Sequence, residues 1–230
     1  MPQSPIYATR KLNDIHIHNK WPLAREGLPF IIPVFGLTCV FVYFGFWTAA
    51  LLAGTLTVFT TFFFRDPERS HSASENAVLA PADGRVIQIQ HIENANNPLE
   101  EPAVKISIFM SIFNVHVNRV PVGGRIKHIV YRSGKFFSAN RDKASEQNES
   151  NRITFLTHDS RKIIVVQIAG LIARRIVCWI KNGDNVQPGQ RFGMIRFGSR
   201  LEVYLPRGTR ITAKLRQKVS AGRTIIAYLP

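Results

Sequence analysis

Acidic residues are scarce in this chain. Only 15 Asp and Glu stand against 30 Lys and Arg, giving a formal net charge of +15 over 230 residues. That shortage points to an anionic partner, either a nucleic acid or a membrane surface rich in anionic lipid. Cysteine is scarcer still. Cys39 lies in an apolar run and Cys178 in a strand-like one, so they form no disulfide scaffold. Both read as small buried residues of a protein kept reduced. No Cys/His cluster has zinc spacing, so no metal is expected, and neither a GxxxxGK(S/T) nor a GxSxG motif occurs. Residues 1–27 are polar and mixed, with Arg10, Lys11, Lys20 and Arg25. They lack a basic segment leading into a short apolar core with a small-residue cleavage site, so a cleaved signal peptide is not expected.

One stretch lacks charge altogether. From Leu28 to Phe64 no charged residue appears. The run exceeds one helical span of about 20 residues and falls short of two full ones. A helical hairpin over residues 28–64, turning near Phe44-Gly45-Phe46, fits this length and either dips into a bilayer or just crosses it. Trp and Tyr favour the headgroup level, and Tyr43 and Trp47 flank the turn. Lys20 and Arg25 precede the run, and Arg65 and Arg69 follow it. A hairpin returns both basic flanks to one side, which the positive-inside rule makes cytoplasmic. A buried hairpin in a soluble core is the competing reading.

Beyond Pro67 the pattern changes to short β-type runs with turn signals. They are Arg85–Ile89, Val104–Phe109, Arg125–Tyr131, Arg152–Leu156, Lys162–Ile168, Ile176–Ile180, Phe192–Ile195, Leu201–Pro206 and Thr224–Leu229. Such spacing predicts a mainly β (α+β) fold: an N-terminal apolar helical hairpin, then a β-rich barrel or barrel-sandwich hybrid. Residues 138–151 read as a polar loop. Val-x-x-Gly occurs just before an apolar run at Val186–Gly189 and again at Val219–Gly222, and the Pro81–Val86 turn reads as related. This turn grammar belongs to biotinyl and lipoyl carriers, but their Met-flanked carrier lysine is missing.

Three places concentrate reactive groups. Asp83 sits in the tight turn Pro81-Ala82-Asp83-Gly84, where a turn Asp is the plain reading. His116 alternates with Ile112, Val115 and Val117, as a hydrogen-bonded histidine on one strand face does. Gly198-Ser199 lies between two strand-like runs. It is either a turn or bulge, because Gly tolerates positive φ, or a self-processing bond whose serine attacks the preceding carbonyl. A strained bend there would press the serine oxygen onto that carbonyl.

Taken in order, an apolar hairpin closed by FFRDPER, then PADG, HVNRVP, IARRI and a near-terminal RFGSR closely resemble the phosphatidylserine decarboxylase family in its shorter form. The resemblance runs from about residue 28 to the C-terminus and rests on order and spacing, since each piece alone is weak. It implies a pyruvoyl enzyme made as a proenzyme that cuts itself at Gly198–Ser199, leaving a β chain of residues 1–198 and an α chain of residues 199–230. The pyruvate cofactor would be covalent, derived from Ser199, and would form the Schiff base with the substrate amine. His116 matches the proton donor, and Asp83 matches a residue that supports self-processing. Longer members carry two histidines in a pattern like HRVHMP. The second falls on Arg119 here, so the matched processing set lacks its histidine. Arg119, Arg174 and Arg175 are candidates for gripping the phosphate or carboxylate of a phospholipid. His128 and His158 carry no assignment.

The resemblance thus divides the chain into a polar segment 1–27, a membrane-associated hairpin 28–64 and a β-rich catalytic domain 65–230. It places the protein at the inner membrane with the catalytic domain on the cytoplasmic side, and leaves a homo-oligomer open. The alternatives are a non-catalytic, membrane-tethered binding module of biotinyl/lipoyl-like fold, and a serine hydrolase using Ser199. Nucleic acid is not expected as a partner, because the aromatic residues cluster in the apolar stretch instead of alternating with Lys and Arg.

Overall fold

The computed structural model describes residues 18, 21–70, 74–93, 97–134, 147–170, 175–196 and 198–230. They fall into two compact units, one over His18–Glu68 and one running from Arg69 to Pro230.

The smaller unit is the expected hairpin. Its helices span Leu28–Tyr43 and Trp47–Phe63. Gly45, at φ +74°, supplies the left-handed turn between them. The base is tied by backbone bonds from Ala24 N–H to Phe64 O and from Asp66 N–H to Pro22 O, both 2.7 Å. The first helix buries none of its residues. The second buries only Ala50, Ala53 and Phe63. Cys39, expected to be buried, is therefore exposed on this apolar surface. Five threonines turn their hydroxyls back to the carbonyl four residues earlier (Thr38, Thr55, Thr57, Thr60 and Thr61). Hydroxyls satisfied within their own helix suit surroundings without water. With the turn before it, the first helix forms a 19-residue run, Arg25–Tyr43, of mean hydropathy 1.7, long and apolar enough to cross a membrane. The second is shorter. At 1.5 Å per residue it rises only about 26 Å, against a hydrocarbon layer of about 30 Å.

The larger unit is β-rich. Its strands are β1 (Ala77–Leu79), β2 (Gly84–Ile92), β3 (Ala103–Met110), β4 (Val117–Arg119), β5 (Gly124–Arg132), β6 (Ser150–Leu156) and β7 (Lys162–Ala169). Then come β8 (Ile176–Cys178), β9 (Asn185–Val186), β10 (Arg191–Ile195), β11 (Ser199–Pro206), β12 (Arg210–Ile211), β13 (Lys218–Val219) and β14 (Ile225–Tyr228). An eight-stranded sheet runs β13-β2-β3-β11-β7-β6-β5-β9, beside two three-stranded sheets, β1-β14-β12 and β4-β10-β8. Every long run predicted as a strand is one, so the mainly β expectation holds. The short β1, β4, β9, β12 and β13 carry too few residues to show a period. The expected loop over 138–151 ends earlier than predicted, because Ser150 and Asn151 already open β6; residues 138–146 lie outside the described residues.

The strand order has an internal two-fold that relates β13-β2-β3-β11 to β9-β5-β6-β7, and one small sheet to the other. Pro81-Ala82-Asp83-Gly84-Arg85-Val86 superposes in role on Pro121-Val122-Gly123-Gly124-Arg125-Ile126. Each opens a strand whose register slips at the same place, between Val86 and Gln88 in one and Ile126 and His128 in the other. A Cβ on Gly84 would run into Phe109 O, and one on Gly124 into Leu156 O. The two Val-x-x-Gly turns are partners in this symmetry. Gly222 N–H donates to Ala80 O and Gly189 N–H to Val120 O, both 2.8 Å. The apolar core lies inside the curled sheet, with Ile106, Ile153, Val165, Leu201 and Val203 fully buried.

Candidate active site

Ser199 opens β11, a central strand. It pairs with Met110 of β3 on one side and Ala169 of β7 on the other. Its side chain is fully buried. The residue before it, Gly198, is left-handed at φ +53°, and a Cβ built there would meet nothing within 4 Å. The Ser199 hydroxyl lies 3.4 Å from Met110 Sδ, a weak acceptor. A hydrolase serine needs a base beside it. Among the described residues, the partner shown for the Ser199 hydroxyl is a thioether.

Met110 Sδ is the end of a buried amide chain. Asn118 Nδ2 approaches it at 3.7 Å, Gln167 Nε2 donates to Asn118 Oδ1 at 2.8 Å, and Asn151 Nδ2 donates to Gln167 Oε1 at 2.9 Å. Asn118, Gln167 and Asn151 are all buried. Sequence reading passed over these residues. The signals were an amide inside the apolar run of β7 and another inside HVNRVP, since a buried polar side chain on a strand needs a partner.

His116 is fully buried, just ahead of β4 and not on a strand face. Its Nδ1 is 2.9 Å from Asn114 O. Its carbonyl accepts from Ile195 N–H at 3.4 Å, at the end of β10, four residues before Ser199. Arg175 O accepts from Arg196 N–H at 3.3 Å in the same place. The structure thus gathers the ends of β4 and β10, exposed Arg175 and the Gly198–Ser199 bond. Arg174, and the start of the IARRI segment, lie outside the described residues.

Asp83 lies at the same end of the sheet, immediately ahead of β2. Arg69 grips it with two nitrogens, at 2.5 and 2.8 Å, and Ala221 N–H donates to it at 2.8 Å. Arg69 also donates to Ala221 O. The pair is nearly buried, at 7% and 13% side-chain exposure. Arg119 is buried and donates to Gly189 O at 3.0 Å. It therefore braces a turn, in addition to any contact with a ligand. The counterparts of Asp83, Met110, Ser199 and Ala221 under the two-fold are Gly123, Thr157, Arg161 and Pro188. Those four line one cavity of about 680 Å³.

A fully buried serine thus follows a left-handed bend and stands at the end of a buried amide chain. Comparison with known proteins assigns the chain to a family. The phosphatidylserine decarboxylase family model matches residues 56–227. A protein of Syntrophus aciditrophicus (strain SB) is 52% identical over 205 residues, covering 88% of this chain and 95% of that protein. One from Geobacter sp. (strain M21) is 48% identical over 217 residues, covering 91% and 97%. One from Ruegeria pomeroyi is 46% identical over 210 residues, covering 90% and 95%. All three are named phosphatidylserine decarboxylase proenzyme. The chain belongs to the phosphatidylserine decarboxylase family.

Proposed function

We propose that this chain decarboxylates phosphatidylserine to phosphatidylethanolamine, after cutting itself between Gly198 and Ser199. The Ser199 hydroxyl attacks the Gly198 carbonyl, the C–N bond breaks, and an ester replaces the amide. Loss of the Cα proton of residue 199 then expels the Gly198 carboxylate. The dehydroalanine left at the head of the downstream chain takes up water and loses ammonia, leaving a pyruvoyl group. Its ketone supplies what loss of CO₂ from an amino acid requires, a condensation partner for the amine and a sink for the electrons.

Position 199 suits such a group. It is fully buried, which keeps water from a reactive ketone, and it sits on a rigid central strand. His116 is the proton donor for the former Cα, and β4, which follows it directly, pairs with β10. Asn114 O holds its Nδ1 and so fixes the ring. Asp83 supports self-processing by fixing the Ala221 turn. Exposed Arg175, and Arg174 beside it, bind the anionic headgroup bidentately. Arg119 is the weaker candidate, being committed to Gly189 O. The apolar hairpin brings the enzyme to its lipid at the cytoplasmic face of the inner membrane.

The observation that carries this reading is the buried Ser199, its hydroxyl against the Met110 thioether and a left-handed glycine before it, in a family whose members are named proenzymes. The test is release of CO₂ from phosphatidylserine vesicles by the wild type and by Ser199→Ala. The wild type should decarboxylate, and the variant should remain a single inactive chain. A variant that is still cut contradicts Ser199 as the nucleophile.

A further inference from the structure

The second residue after the cut is a buried arginine. Arg200 is 1% exposed, and Glu202 beyond it is equally buried. Arg200 Nη2 lies 2.9 Å from Glu202 Oε1, 3.0 Å from Ser107 Oγ of β3 and 2.8 Å from Gln88 Oε1 of β2. Tyr204 donates to Glu202 Oε2 at 2.9 Å. Burial, then Glu202, pushes the Tyr204 phenol up, so its hydroxyl stays protonated and keeps donating. Five side chains on three adjacent strands thus form one network, on the face of β11 opposite Leu201 and Val203.

The fold does not require this network. The two-fold partner of β11 is β7, where Lys162, Ile164 and Val166 stand for Arg200, Glu202 and Tyr204. There Ile164 and Val166 pack in an apolar cluster. Burying an ion pair in a sheet seldom adds stability over apolar residues of similar size. The network therefore serves something that distinguishes β11 from β7. That distinction is the chain end. Cutting at Gly198–Ser199 turns the first residue of β11 into a terminus, and strand termini fray.

We infer that Arg200, held by Glu202, Ser107 and Gln88, is a positioning residue that clamps the new chain end so that the group at position 199 keeps its place after cleavage. The inference rests on the proposed self-processing. It also states when the clamp matters. Before the cut, Gly198 and β10 hold residue 199 from the upstream side. Afterwards only β11, with its ladder to β3 and β7, does.

The experiment compares the wild type with Arg200→Lys/Glu202→Ile, which copies the β7 residues and so suits this sheet, and with Glu202→Gln alone. Each is made as the cut enzyme and on the uncut Ser199→Ala background. In the cut enzyme, kcat should fall about tenfold or more while KM stays within about twofold, as for a small misplacement of a reacting group. Amide exchange at Leu201 should quicken in the cut chain and not in the uncut one. Wild-type kcat in a folded, cut double variant overturns the inference. Exchange quickened equally in cut and uncut chains also overturns it, because it shows a plain structural role. A wild-type chain that is never cut defeats the proposed function itself. A wild type that is cut and active, alongside unaffected variants, defeats only the clamp.

Discussion

The two ends of the eight-stranded sheet share a backbone and differ in side chains. At one end stand Asp83, Met110, Ser199 and Ala221, and at the other Gly123, Thr157, Arg161 and Pro188. Even the bend before the strand is common, with Gly198 at φ +53° and Ser160 at φ +61°. A left-handed residue ahead of a sheet strand is thus a property of the fold, and strain there cannot single out one bond for cleavage. What differs is that a hydroxyl follows the bend at one end and a guanidinium at the other. Asp83 is set apart in the same way. In the second turn Gly123 has no side chain, and Pro188 has no N–H that needs an acceptor. In the first, Ala221 N–H points at the Asp83 carboxylate. Aspartate, alanine and Arg69 form a set that the turn itself does not demand.

Making the first turn resemble the second should have the largest effect. Asp83→Gly leaves Arg69 nearly buried and unpartnered by a carboxylate, which costs about 3–5 kcal/mol. Urea unfolding of the variant on the uncut Ser199→Ala background measures this, and a time course of cutting with Ser199 restored should show little product. Copying the turn more fully, as Arg69→Met/Asp83→Gly/Ala221→Pro, sharpens the comparison. It removes the charge along with its partner, so stability should return to within about 2 kcal/mol of the uncut parent. Cutting should stay slow, because the Asp83 set is still missing. Wild-type cutting in this variant would make the set purely structural. The smallest effects belong to the bends. Gly198→Ala meets no clash and should lose only the left-handed penalty, about 1–2 kcal/mol, with slower cutting. Ser160→Gly should gain no more than about 1 kcal/mol and leave cutting unchanged, as thermal unfolding and gel analysis would show.

Much of this was legible in the sequence. The hairpin could be read because Leu28–Phe64 holds no charge. The long strands showed their period, and the echo of Val186–Gly189 in Val219–Gly222 pointed to a barrel-sandwich type of fold. The stronger echo, Pro81–Val86 against Pro121–Ile126, is masked locally because Gly123 stands where the first copy has Asp83. Other features could not be read locally. Arg69 and Asp83 meet only because the chain returns through the Ala221 turn. The Asn118–Gln167–Asn151 chain joins three strands distant in sequence. Nothing local marks Arg200 in a basic chain; burial, which sequence cannot supply, makes it an internal cation. His116 looked like a strand residue because apolar neighbours alternate with it, but the ladder begins one residue later.

The central claim is that Ser199 is consumed in making the group that does the chemistry. Intact mass spectrometry of the purified protein tests it most directly. The account predicts two pieces, one ending at Gly198 and one beginning at residue 199 with no free amino terminus. A single full-length chain carrying an ordinary serine at 199, in a preparation that releases CO₂ from phosphatidylserine, would contradict it.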